Sequence, residues 1–174
     1  MKIIQFFYLA ILLTIVSCTV KSGIKDDELV NYKLYQGKWY EIARLPNSFE
    51  DGLICITMTY TYKDDGIMTV ISSAKSKSNP ADIKSLSAKA WIPDENEPQK
   101  IKMQIMWPVT FDFILIHIDE EKGYSIIGSP HKQKLWILSR QPMINENDMS
   151  ALKTILEKNQ YNVEKLVYVD QICD

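Results

Sequence analysis

At 174 residues, with 46% hydrophobic and 24% charged residues, the chain has the size and balance of one globular domain with a sizeable core, not of a disordered segment. Its formal net charge of −2 is too small, and of the wrong sign, for an electrostatic footprint on nucleic acid. Two histidines and no Cys/His cluster leave little material for a zinc site, and no cofactor is expected.

Residues 1–17 read as a secretory signal peptide. Met1-Lys2 is a short positive start, and Ile3 to Val16 is apolar apart from Gln5 and Thr14. Such a run is short for a membrane span and fits a secretory apolar region. It ends in Ile15-Val16-Ser17-Cys18, which resembles a bacterial lipobox. That resemblance implies cleavage before Cys18, with lipid on its thiol and new amino terminus; the alternative is an ordinary signal peptide that ends near a cysteine. Two or three acyl chains anchor a protein stably, where one is marginal. Thr19 stands where an aspartate would favour the inner membrane, so the outer membrane, facing the periplasm, is the expected address. Residues 18–32 are then the lipidated cysteine with a polar tether, and 33–174 the folded domain.

From Gly37 onward the pattern is strand after strand. Gly37-Lys38-Trp39-Tyr40-Glu41-Ile42-Ala43-Arg44-Leu45-Pro46 opens on a turn-type glycine, continues through aromatic and branched residues, and is stopped by Pro46. Ile54 to Tyr62 alternates strictly, with Ile54, Ile56, Met58, Tyr60 and Tyr62 on one face and Cys55, Thr57, Thr59 and Thr61 on the other. Lys63-Asp64-Asp65-Gly66 is a hairpin turn, and Ile67 to Ser73 returns. Ser76 to Asp82 reads as a polar loop. Leu86 to Ile92, Lys100 to Trp107, Phe111 to Asp119, Tyr124 to Gly128 and Leu135 to Arg140 complete eight strands. Frequent turn signals and little helical pattern argue for an all-β, eight-stranded antiparallel up-and-down barrel, which leaves room for side chains or one small ligand.

After Pro142 the periodicity changes to helical. Asn145 is a candidate N-cap with Asp148 three residues on, and Ile144 can staple to Met149. Met149, Leu152, Ile155 and Leu156 form one stripe of a helix ending near Asn159, expected to pack on the barrel wall. A last strand is expected over Lys165 to Val169.

The phrase from Gly37 through Gly52, together with Leu135-Trp136-Ile137-Leu138-Ser139-Arg140-Gln141-Pro142, resembles the lipocalin family. Within it, the likeness is to the subgroup of bacterial outer-membrane lipoprotein lipocalins and animal apolipoprotein D, over roughly residues 30–170. The resemblance implies a closed barrel end plugged by Trp39 after Gly37, with Arg140 lying across the indole for stability and not for ligand binding. It also implies a disulfide between Cys55 and Cys173, each about one residue offset from the subgroup's pattern. Cysteine counting agrees, since setting Cys18 aside leaves an even pair in an exported chain.

Alternation combined with the family's register places a candidate ligand-binding wall inside the barrel. It comprises Ile56, Met58, Tyr60, Tyr62, Met68, Val70, Ala88, Ala90, Met103, Ile105, Trp107, Trp136 and Leu138, with Ser72 and Ile101 beside them. Small residues facing large aromatics imply a tapered cavity, and three methionines let its wall adapt to a flexible chain. Glu41 is the difficulty. With Trp39 inward it also points inward, where a carboxylate is costly unless paired. Either Arg140 pairs with it or a bulge turns it out. His117, on a strand apolar on both faces, reads as structural.

The resemblance implies a lipid-anchored carrier of fatty acids or lysophospholipids, for storage or transport at the bacterial envelope, and not an enzyme. No Ser-His-Asp or metal spacing is visible. Two alternatives stand beside it: a structural envelope lipoprotein whose barrel is filled by its own aromatics, and a carrier of another small hydrophobic ligand. Nothing in the pattern sets an oligomeric state.

Overall fold

Strict alternation gives each strand one apolar and one polar face, and a sheet that closes on itself is a way to bury the first without leaving open edges. The computed structural model describes residues 32–63 and 65–173; the expected leader, Cys18 and most of the expected tether lie outside the described residues. A single 3₁₀ turn (Tyr32–Tyr35) leads into β1 (Gly37–Arg44), β2 (Leu53–Tyr62), β3 (Met68–Ser76) and β4 (Ile83–Trp91). β5 (Lys100–Met106), β6 (Val109–Asp119), β7 (Tyr124–Gly128) and β8 (Leu135–Ser139) follow. Each pairs antiparallel with the next, and β1 pairs with both β8 and β2, so the meander closes into the eight-stranded barrel that the pattern predicts. A two-residue β9 (Val167–Tyr168) adds to the far end of β1.

Helix α1 (Glu146–Lys158) is capped by Asn145, whose side chain accepts from the Asp148 amide at 2.9 Å. Its buried residues Leu152 and Leu156 share a cluster with Ile42, Ile116, Ile126, Leu135 and Ile137. The helix thus covers the outer wall of β1, β6, β7 and β8. This cover explains why those strands are apolar on both faces.

Several boundaries differ from the sequence reading. β3 and β4 run on past their expected ends at Ser73 and Leu86, pairing through Ala74↔Lys84 and Lys75↔Ile83, and Ser76, expected to open the loop, ends β3. Backbone pairing there continues beneath mostly polar side chains, which carry no alternation signal. β5 stops at Met106, leaving Trp107 in the turn before β6, with Pro108 in cis. Lys165 ends a short 3₁₀ turn instead of starting the last strand.

The end where β1 begins is closed. Trp39 is buried, and its indole N–H donates to the Tyr35 carbonyl at 2.9 Å. Arg140 Cζ lies 3.9 Å from the centre of the indole, while its two terminal nitrogens donate to the Lys38 and Gln36 carbonyls at 2.9 and 3.0 Å. Gly37, at φ +97°, and Gly123 let the arginine approach; a Cβ on Gly123 would come within 2.7 Å of its side chain.

Beyond Tyr40 the first two strands part. Their pairing ends at Tyr40↔Thr57, where β1 bulges between Glu41 and Ala43 against β8, and β2 between Ile54 and Thr57 against β3. The C-terminal segment fills the gap: Cys55 N–H donates to Asp170 O at 2.8 Å, and Gln171 Nε2 donates to Glu41 O and Ile56 O. The Cys55–Cys173 disulfide clamps this segment across 118 residues of sequence.

Candidate functional site

Because the strands alternate in direction, the loops after β1, β3, β5 and β7 gather at the end opposite Trp39. From that open end a cavity of about 510 Å³ runs into the barrel, within the size range of sites for one small molecule. Met58 and Tyr60 line it from β2, Met68, Val70, Ser72 and Ala74 from β3, and Leu86, Ala88 and Ala90 from β4. Ile101, Met103 and Ile105 come from β5, Phe111 and Phe113 from β6, Ile127 from β7, and Trp136 and Leu138 from β8. Ala88 and Ala90 leave the space that Phe113 and Trp136, packed edge to face at 5.6 Å, do not fill.

Ten of the thirteen residues expected to form the wall are therefore together on it: Met58, Tyr60, Met68, Val70, Ala88, Ala90, Met103, Ile105, Trp136 and Leu138. Three are not. Ile56 is buried but off the cavity, because Cys55 adopts a left-handed φ of 56° and the bulge there resets the alternation of β2. Tyr62 lies at the closed end, half-buried against the floor cluster, with the Lys33 ammonium 5.9 Å from its ring. Trp107 is 82% exposed, since its strand ends one residue earlier and the turn carries its ring outward.

Phe49, Phe111, Phe113 and Ile127 are wall residues that the sequence reading passed over. For Phe111 and Phe113 a signal exists: they pair with Met103 and Ile101, already assigned inward. Phe49 sits in the loop after β1, where periodicity says nothing.

The polar part of the wall clusters near the mouth, at Asn47, Glu50, Asp51, Lys84, Ser85 and Lys134. Two lysines border the opening, and Arg140 stays outside the cavity, on Trp39. Lys134 Nζ sits 4.7 Å from the Phe49 ring and 5.4 Å from that of Phe111.

Glu50 ties the loop after β1 to the wall. Its carboxylate accepts from Trp136 Nε1 at 2.9 Å and from Asn47 Nδ2 at 2.6 Å, and its backbone carbonyl accepts from Arg44. Arg44 also donates to Glu41 Oε1 at 2.9 Å, so the partner of the buried Glu41 is Arg44 and not Arg140. The bulge after Glu41 does not expel the carboxylate, which remains fully buried; it is Arg44, three residues on, that is brought beside it. Burial, reinforced by the charge of Glu50, pushes the Glu41 pKa up to about 8 against the pull of Arg44. His117 lies at the bulge of β6, away from the cavity, and partial burial lowers its pKa.

Among the described residues no group of His, Cys, Asp and Glu is arranged to hold a metal ion. A family model for the lipocalin-like domain matches residues 30–171. The outer membrane lipoprotein Blc of Citrobacter freundii is 31% identical over 160 residues, 90% of each chain. Apolipoprotein D of Bos taurus is 30% identical over 145 residues, 79% of this chain and 75% of that protein. The solved structure of insecticyanin from the tobacco hornworm Manduca sexta matches with a TM-score of 0.67 at 20% identity, over 82% of this chain and 81% of that one, a likeness of fold.

Proposed function

The chain belongs to the lipocalin family, whose members are binding and carrier proteins and not enzymes, and from this we propose that it is a lipid-anchored carrier of fatty acids or lysophospholipids at the bacterial envelope. The single observation that carries the reading is the deep, almost wholly apolar wall of one open cavity. Moving an acyl chain from water into such a wall gains about 0.8 kcal/mol per CH₂. Ten buried methylenes supply about 8 kcal/mol before the ligand's lost freedom is subtracted, which supports affinity on the order of micromolar. Met58, Met68 and Met103 give the wall soft surfaces that follow a flexible chain.

The reading of a barrel packed shut by its own aromatics loses its support here. Of the four aromatics expected on the wall, Tyr60, Tyr62, Trp107 and Trp136, two (Tyr62 and Trp107) stand outside the cavity. The anchor rests on the lipobox-like ending at Cys18 and on relatives named as outer membrane lipoproteins. Displacement of a fluorescent fatty acid by oleate and by lysophospholipid tests the cargo. A protein that takes up neither sinks the reading. The mass of the mature amino terminus tests the anchor: Cys18 bearing acyl chains is the expected result, and an unmodified cysteine there overturns it.

A further inference from the structure

The cavity does not end at its mouth. Leu86 and Ile105 line it and are also 48% and 39% exposed, and Phe49, another lining residue, is 73% exposed. Next to Ile105, the hairpin between β5 and β6 carries Met106, Trp107 and Val109, which are 70%, 82% and 46% exposed. Ile105 through Val109 is a run of five uncharged residues at the tip of a hairpin on the open end. Single exposed apolar residues are ordinary, but a cluster continuous with a cavity entrance marks an interaction surface.

We propose that the open end of the barrel docks on the surface of a lipid bilayer, with Met106 and Trp107 inserted at the level of the headgroups, so that an acyl chain passes from bilayer to cavity without crossing water. Tryptophan suits that depth because its ring is apolar and its N–H stays wet. The half-exposed wall residues then form a continuous apolar track from membrane to interior.

The length of chain before the barrel argues for a bilayer over a second copy of the protein. The proposal rests on the anchored-carrier reading in this respect. Thirteen residues separate Cys18 from Tyr32, and fully extended they span at most about 45 Å. The longest strand, β6, has eleven residues, about 36 Å of strand before its tilt is allowed for. The tether joins the closed end, through the 3₁₀ turn before β1, yet it is long enough for anchor and mouth to meet the same membrane. Pairing two copies mouth to mouth would instead seal both entrances.

The test uses the full lipidated chain in phosphatidylcholine vesicles that carry bromine on the upper acyl chain. Tryptophan emission of the wild type is expected to be quenched, and most of that quenching to disappear in Trp107→Phe. In Met106→Lys/Trp107→Lys, transfer of a fluorescent fatty acid from vesicles should slow at least about tenfold, with uptake from water unchanged, since neither residue lines the cavity. Equal quenching in wild type and Trp107→Phe overturns the proposal. So does an emission shift that appears without vesicles and grows with protein concentration, which marks self-association. Loss of uptake from water in the wild type sinks the carrier reading instead, while the quenching result still decides the docking.

Discussion

Arg44 donates to one oxygen of Glu41 at 2.9 Å, and the other oxygen of that carboxylate is buried with no partner. Glu50 approaches the same guanidinium, 3.7 Å from its Nε, so one cation faces two carboxylates in a nearly dry setting. Burial first, and Glu50 second, raise the Glu41 pKa to about 8, from an ordinary value of 4.5. The folded state therefore holds a proton that the unfolded chain releases. Its contribution to stability is complete below about pH 4.5 and is lost as pH rises through about 8. His117, whose pKa is lowered by burial, acts in the opposite sense only up to its ordinary value of 6.5. Denaturant unfolding between pH 7 and 9 should thus show falling stability in the wild type and a flatter profile in Glu41→Gln. Parallel profiles would remove Glu41 as the cause.

At the closed end, Arg140 acts on Trp39 and on two backbone carbonyls, and neither Arg140 nor Trp39 touches the cavity. Arg140→Met keeps much of the length but loses the ring contact and both hydrogen bonds, a cost of about 1–3 kcal/mol. Trp39→Ala should cost more, about 3–5 kcal/mol. Both variants are expected to melt earlier yet bind a fatty acid with unchanged affinity at a temperature where they remain folded. A selective loss of affinity in Arg140→Met would assign the arginine to the ligand instead.

The Cys55–Cys173 bond closes a loop of 118 residues and holds the segment that fills the gap between β1 and β2. Replacing both cysteines by alanine should destabilise by about 2–4 kcal/mol and expose the backbone near Asp170 to proteolysis before the barrel unfolds. Cleavage only after global unfolding would mean the tail is held without the clamp.

Ala88 lies on the cavity wall, while its neighbour Lys89 faces water. Ala88→Trp has empty space to grow into, so it should weaken fatty-acid uptake by tenfold or more with little change in melting temperature. Lys89→Trp, on the outer face, is the control and should bind as the wild type does. Equal uptake by both variants would place the ligand elsewhere.

How much of this was legible in the sequence depends on what covered each strand. In β3 and β4 one face meets the cavity and the other water, and alternation assigned Met68, Val70, Ala88 and Ala90 to the wall where the structure has them. In β6 the run from Phe113 to Ile116 is apolar on both faces because α1 covers the outside there, so periodicity alone could not separate Phe113 and Leu115 from Ile114 and Ile116. The bulge at Cys55 changes the face of Ile56 without altering any residue type, and a left-handed cysteine carries no sequence signal. Glu41 shows the same limit at short range. Its partner is only three residues away, but the bulge that brings Arg44 inward belongs to the pairing of β1 with β8, not to β1 alone.

The central claim is that the cavity holds a single-chain lipid. Native mass spectrometry of the full chain purified from bacterial membranes, followed by solvent extraction, tests it most directly. The account predicts a bound species of fatty-acid or lysophospholipid mass, present at about one per barrel and lost in Ala88→Trp. A wild-type protein that is empty as isolated, and stays empty after incubation with oleate and lysophospholipid, would contradict it.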